Sequence, residues 1–485
     1  MAGPMVTGDA PREEVTGGPL GKKGIGWAIF EFARNPYYNA IVISVYAPFF
    51  ARSVVGDPVE GQSMVSLAIT IAGMIMAICA PILGTLVDKG GYRKPPVAMA
   101  LGTLGLTTAC LWFVRPGMDG AVPLGMALMA TGYVTYTIAE LFHNAMLPMA
   151  GRSKALPMIS GLGLGLGNFG GLSTLILIGV FLTNPEIPVL GLDKETFQEY
   201  RIVGPFIAAW LVIFVLPFFL FMPDINKTAD HGWRKAARAT FSSERGLPGL
   251  FMNGINYTIS MFRTYPNIMR YLVGRMLYAD GITALLTIGS VYVGGFLGWS
   301  GTQLIAYNVM GGIFAVLGAF LGGFLDQRLG PKRALQIELS FIIALLLFQL
   351  SITPDSLLFG LIPAGHVIWE GGLFQTLSDV VYILLVIPVA LMLTACISSS
   401  RYMLVHIAPP DQIGQFFGFY AMAGSVTVFL GPGLIYVMTT LSGSQRIGIS
   451  MVGVLFIVGL WVISGVKADK TPEHMKVSGE ATDVT

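Results

Sequence analysis

Gly84-Thr85-Leu86-Val87-Asp88-Lys89-Gly90-Gly91-Tyr92-Arg93-Lys94 returns 238 residues later as Gly322-Gly323-Phe324-Leu325-Asp326-Gln327-Arg328-Leu329-Gly330-Pro331-Lys332-Arg333. In each copy a glycine stands four residues before an aspartate, and another glycine and a basic pair follow. A glycine lets two helix ends approach closely. The carboxylate can cap a neighbouring helix N-terminus, while the basic residues face lipid phosphates and the opposite helix ends. One copy alone reads as a solvated turn that enforces topology. Two copies at equivalent places read as a conformational latch, built from Gly84, Asp88, Gly91 and Arg93 and again from Gly322, Asp326, Arg328, Gly330, Lys332 and Arg333. A second match sets Met146-Leu147-Pro148 against Met403-Leu404-Val405 and Gly161 against Gly418, both 257 residues apart. A long insert at 353–380 accounts for most of the difference between the two offsets.

The sequence around these turns is apolar. Of 485 residues, 54% are hydrophobic, 12% are charged and 61 are glycine, where a soluble domain carries about 25% charged residues. Mean hydropathy is +0.70. This composition excludes a nucleic-acid binder, a secreted disulfide scaffold and a multidomain soluble enzyme. Cys79, Cys110 and Cys396 all lie in apolar runs, are odd in number and have no metal-ligand spacing, so neither a disulfide framework nor a metal site is expected.

Apolar runs of about 20 residues place spans at 27–50, 64–87, 95–114, 121–147, 158–183 and 201–222, then 271–296, 302–325, 334–352, 381–405, 412–439 and 447–466. The expected fold is an all-α membrane protein of twelve transmembrane helices in two pseudo-symmetric six-helix bundles. The first 24 residues are polar and carry no signal-peptide pattern. Basic residues gather on the cytoplasmic side of a membrane. With the N-terminus inside, 21 Lys/Arg fall in cytoplasmic segments, five outside (Arg52, Arg115, Lys194, Arg201, Arg446) and three within spans. The organisation is a cytoplasmic tail (1–24), an N-terminal bundle (25–222), a basic cytoplasmic linker (223–270), a C-terminal bundle (271–467) and a cytoplasmic tail (468–485). Phe251, Tyr257, Phe262 and Tyr265 among basic residues suit an interfacial helix in the linker. The external stretch 353–380 holds an apolar run, Leu357 to Ile362, too short to cross, and reads as a lid or re-entrant piece packed on the second half.

The paired turns resemble the signature of the major facilitator superfamily. Several segments are similar to its autophagy-related vacuolar effluxer branch and that branch's bacterial relatives. They are Trp27 to Tyr37 (WAIFEFARNPY), Gly161 to Gly171, Arg275-Met276-Leu277-Tyr278-Ala279-Asp280-Gly281 with Gly298-Trp299-Ser300, and Ser399-Ser400-Arg401 followed by Gln415 to Tyr420 and Phe429-Leu430-Gly431-Pro432. The resemblance runs from 27 to 466. Departures are Glu31 where relatives often have Asp, Arg34 where they often have Asn, and Gln415 where they often have Glu. The resemblance implies a secondary transporter, and for fungal members amino-acid efflux from the vacuole. It also implies that the first and seventh helices line a central cavity.

A charge inside a span costs about 2.5–3.5 kcal/mol on insertion scales, so it is expected to face a cavity or a partner. Glu31 and Arg34 are three apart on one face of the first helix, and Asn35 extends that face. They read either as a protonatable group with a counter-charge or solute ligand, or as a local ion pair that snorkels to the membrane edge. Asp280, with Arg275 before it, lies deeper in the seventh helix and reads as a protonatable or ion-binding group. Glu140, His143 and Asn144 share a face of the fourth helix. A His beside a carboxylate can titrate near neutral pH, or His143 can serve packing alone. Arg401, the repeat partner of Asn144, can grip a solute carboxylate or lock Glu140. Gly163, Gly167 and Gly171 make a smooth packing face rather than a dinucleotide loop, with Asn168 within reach of the cavity.

Two glycosylation sequons, at Asn226 and Asn256, fall on the cytoplasmic side of this topology. There is no Walker loop, HExxH, CxxC or nucleophile elbow. The expectation is therefore a cofactor-free carrier, not an enzyme, in the cell inner (plasma) membrane if bacterial. It would move a small polar solute, an amino acid or other carboxylate, with proton coupling favoured over sodium. A cation-coupled sugar symporter and a non-transporting sensor or scaffold are the alternatives. The second helix lacks an acidic cluster for sodium, which counts against the symporter.

Overall fold

In hydrocarbon every backbone N–H and C=O must find its partner within the protein, so uninterrupted apolar runs become helices. The computed structural model describes residues 21–90, 93–151, 155–183, 191–224, 252, 256, 258–409, 416, 419, 420, 424 and 427–468. Six helices form the first half: α1 (Lys22–Val55), α2 (Pro58–Gly90), α3 (Lys94–Cys110), α4 (Ala121–Ala145), α5 (Leu156–Leu177) and α6 (Val203–Phe221). Six form the second: α7 (Pro266–Phe296), α8 (Gly301–Leu329), α9 (Pro331–Leu350), α10 (Leu377–Ile407), α11 (Leu430–Ser442) and α12 (Gln445–Ser464). Eleven segments are long and apolar enough to cross a membrane; α11 is a shorter apolar helix, and the first part of the 412–439 span lies partly outside the described residues.

Several helices overrun the expected bounds. α2 continues to Gly90 and α8 to Leu329, so Asp88, Asp326 and Arg328 sit on helices rather than in turns. α7 starts at Pro266, inside the segment assigned to the linker, because proline is well suited to a first helical turn. Residues 258–264 of that linker are helical and expose Ile259 and Phe262. Tails 1–20 and 469–485 and most of the linker lie outside the described residues.

α1 is not a uniform helix. It is α-helical to Pro36, π-helical over Tyr37–Ser44, and π-helical again over Phe50–Val55. Pro36 has no N–H to offer the carbonyl of Phe32. The Trp210 indole of α6 donates to that oxygen instead, at 3.1 Å. α5 fits this helix through small residues: a Cβ on Gly163, Gly167 or Gly171 would meet Trp27, Glu31 with Asn35, or Asn39. Helices in lipid gain little from hydrophobic exclusion, so close approach through small residues has to supply the contact. α8 does the same against α10, where Gly318 and Gly322 lie on the backbone of Leu391 and Ala395.

The repeat is visible in contacts as well as sequence. Trp27 of α1 donates its indole N–H to the His143 carbonyl of α4 at 3.0 Å. At the equivalent place in the second half, the Tyr271 hydroxyl of α7 donates to the Ser400 carbonyl of α10. The halves meet chiefly where α2 packs on α11, tightest at Gly73 against Phe429. Hydrogen bonds join the halves at the end of the bundle remote from Lys22 and Ser464. Gln62 Nε2 donates to Thr439 Oγ1 at 2.9 Å and to the Gln445 carbonyl at 3.0 Å. Gln445 Nε2 donates to the Pro58 carbonyl at 2.8 Å, Thr440 pairs with Ser63, and Arg52 Nη1 donates to the Trp299 carbonyl.

The insert after α9 does not enter the bundle. It forms a small antiparallel hairpin, β1 (Ser356–Leu357) with β2 (Ile362–Pro363), pairing Ser356 with Pro363 and Leu357 with Ile362. Leu357 and Ala364 anchor it against the second half.

Gln62→Ala removes two of the seam bonds and leaves the Thr439 hydroxyl short of one partner, a loss of about 1–3 kcal/mol. Labels at Met118 and Ser442, read by pulsed dipolar spectroscopy, should show a longer-distance population grow. An unchanged distance distribution would mean that this amide does not hold the seam.

Candidate functional site

Four ionisable side chains of α1 and α4 converge. Glu31 and Arg34, three residues apart on α1, pair at 2.8 Å between Oε2 and Nη2. Arg34 Nη1 reaches Glu140 Oε2 at 3.2 Å across to α4. His143, one turn beyond Glu140, places Nδ1 3.2 Å from Glu31 Oε1. The chain is therefore Glu140–Arg34–Glu31–His143. Arg34 and His143 are buried, Glu31 is largely covered, and Glu140 keeps 43% of its side chain exposed. The snorkelling alternative fails here, because a guanidinium only 3% exposed has its charge answered inside the protein.

Aromatic rings frame this chain. The Arg34 guanidinium lies 4.1 Å over the Tyr136 ring, a cation–π arrangement. The His143 imidazole is stacked between Trp27 and Phe30, with centroids 4.2 and 4.0 Å away. Its other nitrogen, Nε2, is 2.8 Å from the Trp27 carbonyl. That carbonyl only accepts, so Nε2 carries a hydrogen. A neutral imidazole in this tautomer would turn a lone pair from Nδ1 toward a carboxylate oxygen 3.2 Å away. The contact is favourable only when one proton lies between His143 and Glu31. Asn35 joins the edge of the group by accepting from the Tyr136 hydroxyl at 3.3 Å.

The other expected residues are dispersed. Asp280 on α7 is 2% exposed and hydrogen-bonds the Thr427 side chain, while its Oδ2 has no hydrogen-bond partner among the described residues. Arg275 does not pair with it; it donates to the Tyr420 carbonyl at 2.8 Å and covers the Tyr420 ring. Arg401 is exposed and does not lock Glu140, whose partner is Arg34. Asn144, its repeat equivalent, is exposed too, on a different side of α4 from His143. Asn168 is exposed on the side of α5 away from the glycine stripe.

Of the latch residues, Arg93 Nη1 caps the Ala145 carbonyl at the end of α4, and its backbone N–H donates to Asp224 at 2.8 Å. Lys332 Nζ caps the Ser464 carbonyl at 3.0 Å, Arg328 lies over the Phe324 ring, and Arg333 is exposed. Arg93, Arg328 and Lys332 each engage their own half. Gly91 lies outside the described residues, as do the side chains around Gly84 and Asp88. Glu338 on α9 escaped the sequence reading, although a carboxylate within an expected span is the signal used elsewhere. It is fully buried and accepts from Ser399 Oγ at 2.9 Å.

Arg34→Met strips Glu31 and Glu140 of their cation and should lower stability by about 3–5 kcal/mol. Adding Glu31→Gln should restore part of that loss. Thermal unfolding of the purified protein measures both, and a double variant no more stable than the single one would contradict the pairing.

The comparisons with known proteins agree with this architecture. A sequence relative described as an uncharacterized MFS-type transporter, YxiO of Bacillus subtilis, is 22% identical over 93% of this chain and 96% of its own length. Autophagy-related protein 22 of Saccharomyces cerevisiae is 23% identical over 63% of this chain, which spans about half (56%) of that longer protein. Among solved structures, a D-xylose–proton symporter superposes with a TM-score of 0.65 at 11% identity, over 93% of this chain and 98% of that one. The nucleoside transporter NupG, in a single-substitution mutant form, gives 0.61 at 14% identity, over 92% and 99%. These likenesses establish the major facilitator fold of a multi-pass membrane transporter. The sequence profile of the family described as "Vacuole effluxer Atg22 like" matches residues 51–476, and the chain belongs to that family.

Proposed function

We propose that this transporter is a proton-coupled secondary carrier of a small polar solute, an amino acid or other carboxylate, working by alternating access between its two halves. The observation that carries the reading is the 3.2 Å contact between Glu31 Oε1 and His143 Nδ1, with Nε2 already committed to the Trp27 carbonyl. A proton there joins α1 to α4; without it two lone pairs oppose each other and Glu31 is driven toward Arg34. Proton occupancy thereby moves a carboxylate on the helix that packs against α5 and α6. Glu140, the exposed end of the chain, gives the group a route to water.

Asp280 is the second proton carrier in this reading, buried on α7 with an oxygen to spare. Arg34 has both terminal nitrogens engaged by carboxylates and is the counter-charge rather than the solute ligand. Arg401, exposed on α10, is the guanidinium free to bind a solute carboxylate. The lysine and arginine bias supports a topology with both termini in the cytoplasm, and the plasma membrane is the expected location if the source is bacterial. In this reading the closed seam faces outward.

A thermal-shift screen of amino acids, peptides, sugars and organic acids identifies the solute, since a ligand of the folded state raises its melting temperature. In vesicles loaded with that solute, Glu31→Gln and Asp280→Asn should each abolish accumulation driven by a proton gradient and spare solute exchange. Undiminished uphill transport in either variant would remove that residue from coupling. Arg401→Ala should raise the half-saturating concentration of a carboxylate solute about tenfold or more, the loss of a charge-assisted pair. Equal affinity would take Arg401 out of the binding site.

A further inference from the structure

The insert between α9 and α10 carries apolar side chains that no other part of the described protein covers. Phe359 is 68% and Leu361 80% exposed, and Leu358, Ile362, Val367, Trp369 and Leu373 are also exposed. Leu358 and Phe359 both take left-handed backbone, φ 51° and 57°, which non-glycine residues rarely adopt. Strain of this kind persists where the surroundings hold it, and here it fixes two large apolar residues at a hairpin tip.

The tip does not stand clear of the bundle. The Phe359 N–H donates to the Ser351 carbonyl at the end of α9 at 3.0 Å, and the Arg446 guanidinium at the start of α12 lies 5.7 Å from the Phe359 ring. On the other lobe, Gln303 at the start of α8 bonds the Leu373 carbonyl. The apolar residues are thus held level with the helix ends. Leu347, one turn before Ser351 on α9, and Ile447, next to Arg446 on α12, are exposed apolar residues beside the two groups that hold the tip. Segment 353–376 has no Lys or Arg, only Asp355, Glu370 and His366, so anionic headgroups are not its target. Aromatic and aliphatic residues at this level match the interfacial belt of membrane proteins.

We propose that the hairpin is a lipid-facing foot: Phe359, Leu361 and Ile362, with Trp369 beside them, enter the headgroup and upper acyl layer of the leaflet at the seam end and tether the second half there. The foot belongs to the second half alone, since this insert accounts for most of the mismatch between the two repeat offsets.

A bimane label at Leu361→Cys, in a background with Cys79, Cys110 and Cys396 replaced by serine, tests this in phosphatidylcholine vesicles. It should be quenched several-fold more by lipid carrying a nitroxide near the headgroup than by aqueous iodide. A label at Glu195, in the outer loop of the first half, should show the reverse. Iodide quenching at 361 equal to that at 195 would overturn the proposal, as would protection from both quenchers, the sign of a second copy or a soluble partner. A second measurement avoids the cysteine background. Brominated phosphatidylcholine should quench a Trp369 contribution, read as the difference between wild type and Trp369→Phe, and no difference would count equally against the foot.

Discussion

A guanidinium cannot remain bare in oil, and the first half of this protein is arranged around that constraint. Arg34 takes Glu31 from its own helix and Glu140 from the facing one, and rests on the Tyr136 ring. These contacts fix how α1 and α4 face each other. Glu31 is then positioned to meet His143, and the Trp27–Phe30 sandwich around the imidazole fills the remaining space. Removing Arg34 or Glu31 leaves another charge or polar atom buried without an answer, so the chain behaves as a unit.

The second half keeps the scaffold and changes the chemistry. Tyr271 and Ser400 reproduce the backbone contact made by Trp27 and His143, yet among the described residues no charged chain accompanies them. Acidic groups appear instead on α7, as Asp280, and on α9, as Glu338 held by Ser399, while Asp326 of α8 repeats Asp88 of the first half. A duplicated fold has thus kept the aspartate and basic pair of its turns and placed other buried ionisable groups at non-equivalent positions, which is what a carrier needs if its halves answer differently to one ion or solute.

Much of the architecture was legible because hydrophobic run length and basic flanks are direct consequences of bilayer physics. The spacing of Glu31 and Arg34 also announced a shared face. What the pattern did not give was which neighbour each side chain would choose. Arg401 was a plausible partner for Glu140 on sequence grounds, and only the crossing of α1 with α4 decides for Arg34. Glu338 went unread although it obeys the same rule about charge within a span. Helix ends were misjudged where polar residues continued a helix past the membrane, as at Asp326 and Arg328. The kink chemistry at Pro36, with Trp210 serving the orphaned oxygen, depends on two segments 178 residues apart and has no local signature.

The seam at the remote end is stitched largely by carboxamides and hydroxyls, with one arginine on a backbone oxygen. Neutral dipoles are nearly indifferent to counterions and carry no protonation state in the physiological range. Closure on that face is therefore deaf to acidity and to ionic strength, whereas the contact between Glu31 and His143 within depends on a shared proton. The seal is thus made of a different chemistry from the buried charges, and a change in the charged group need not loosen it.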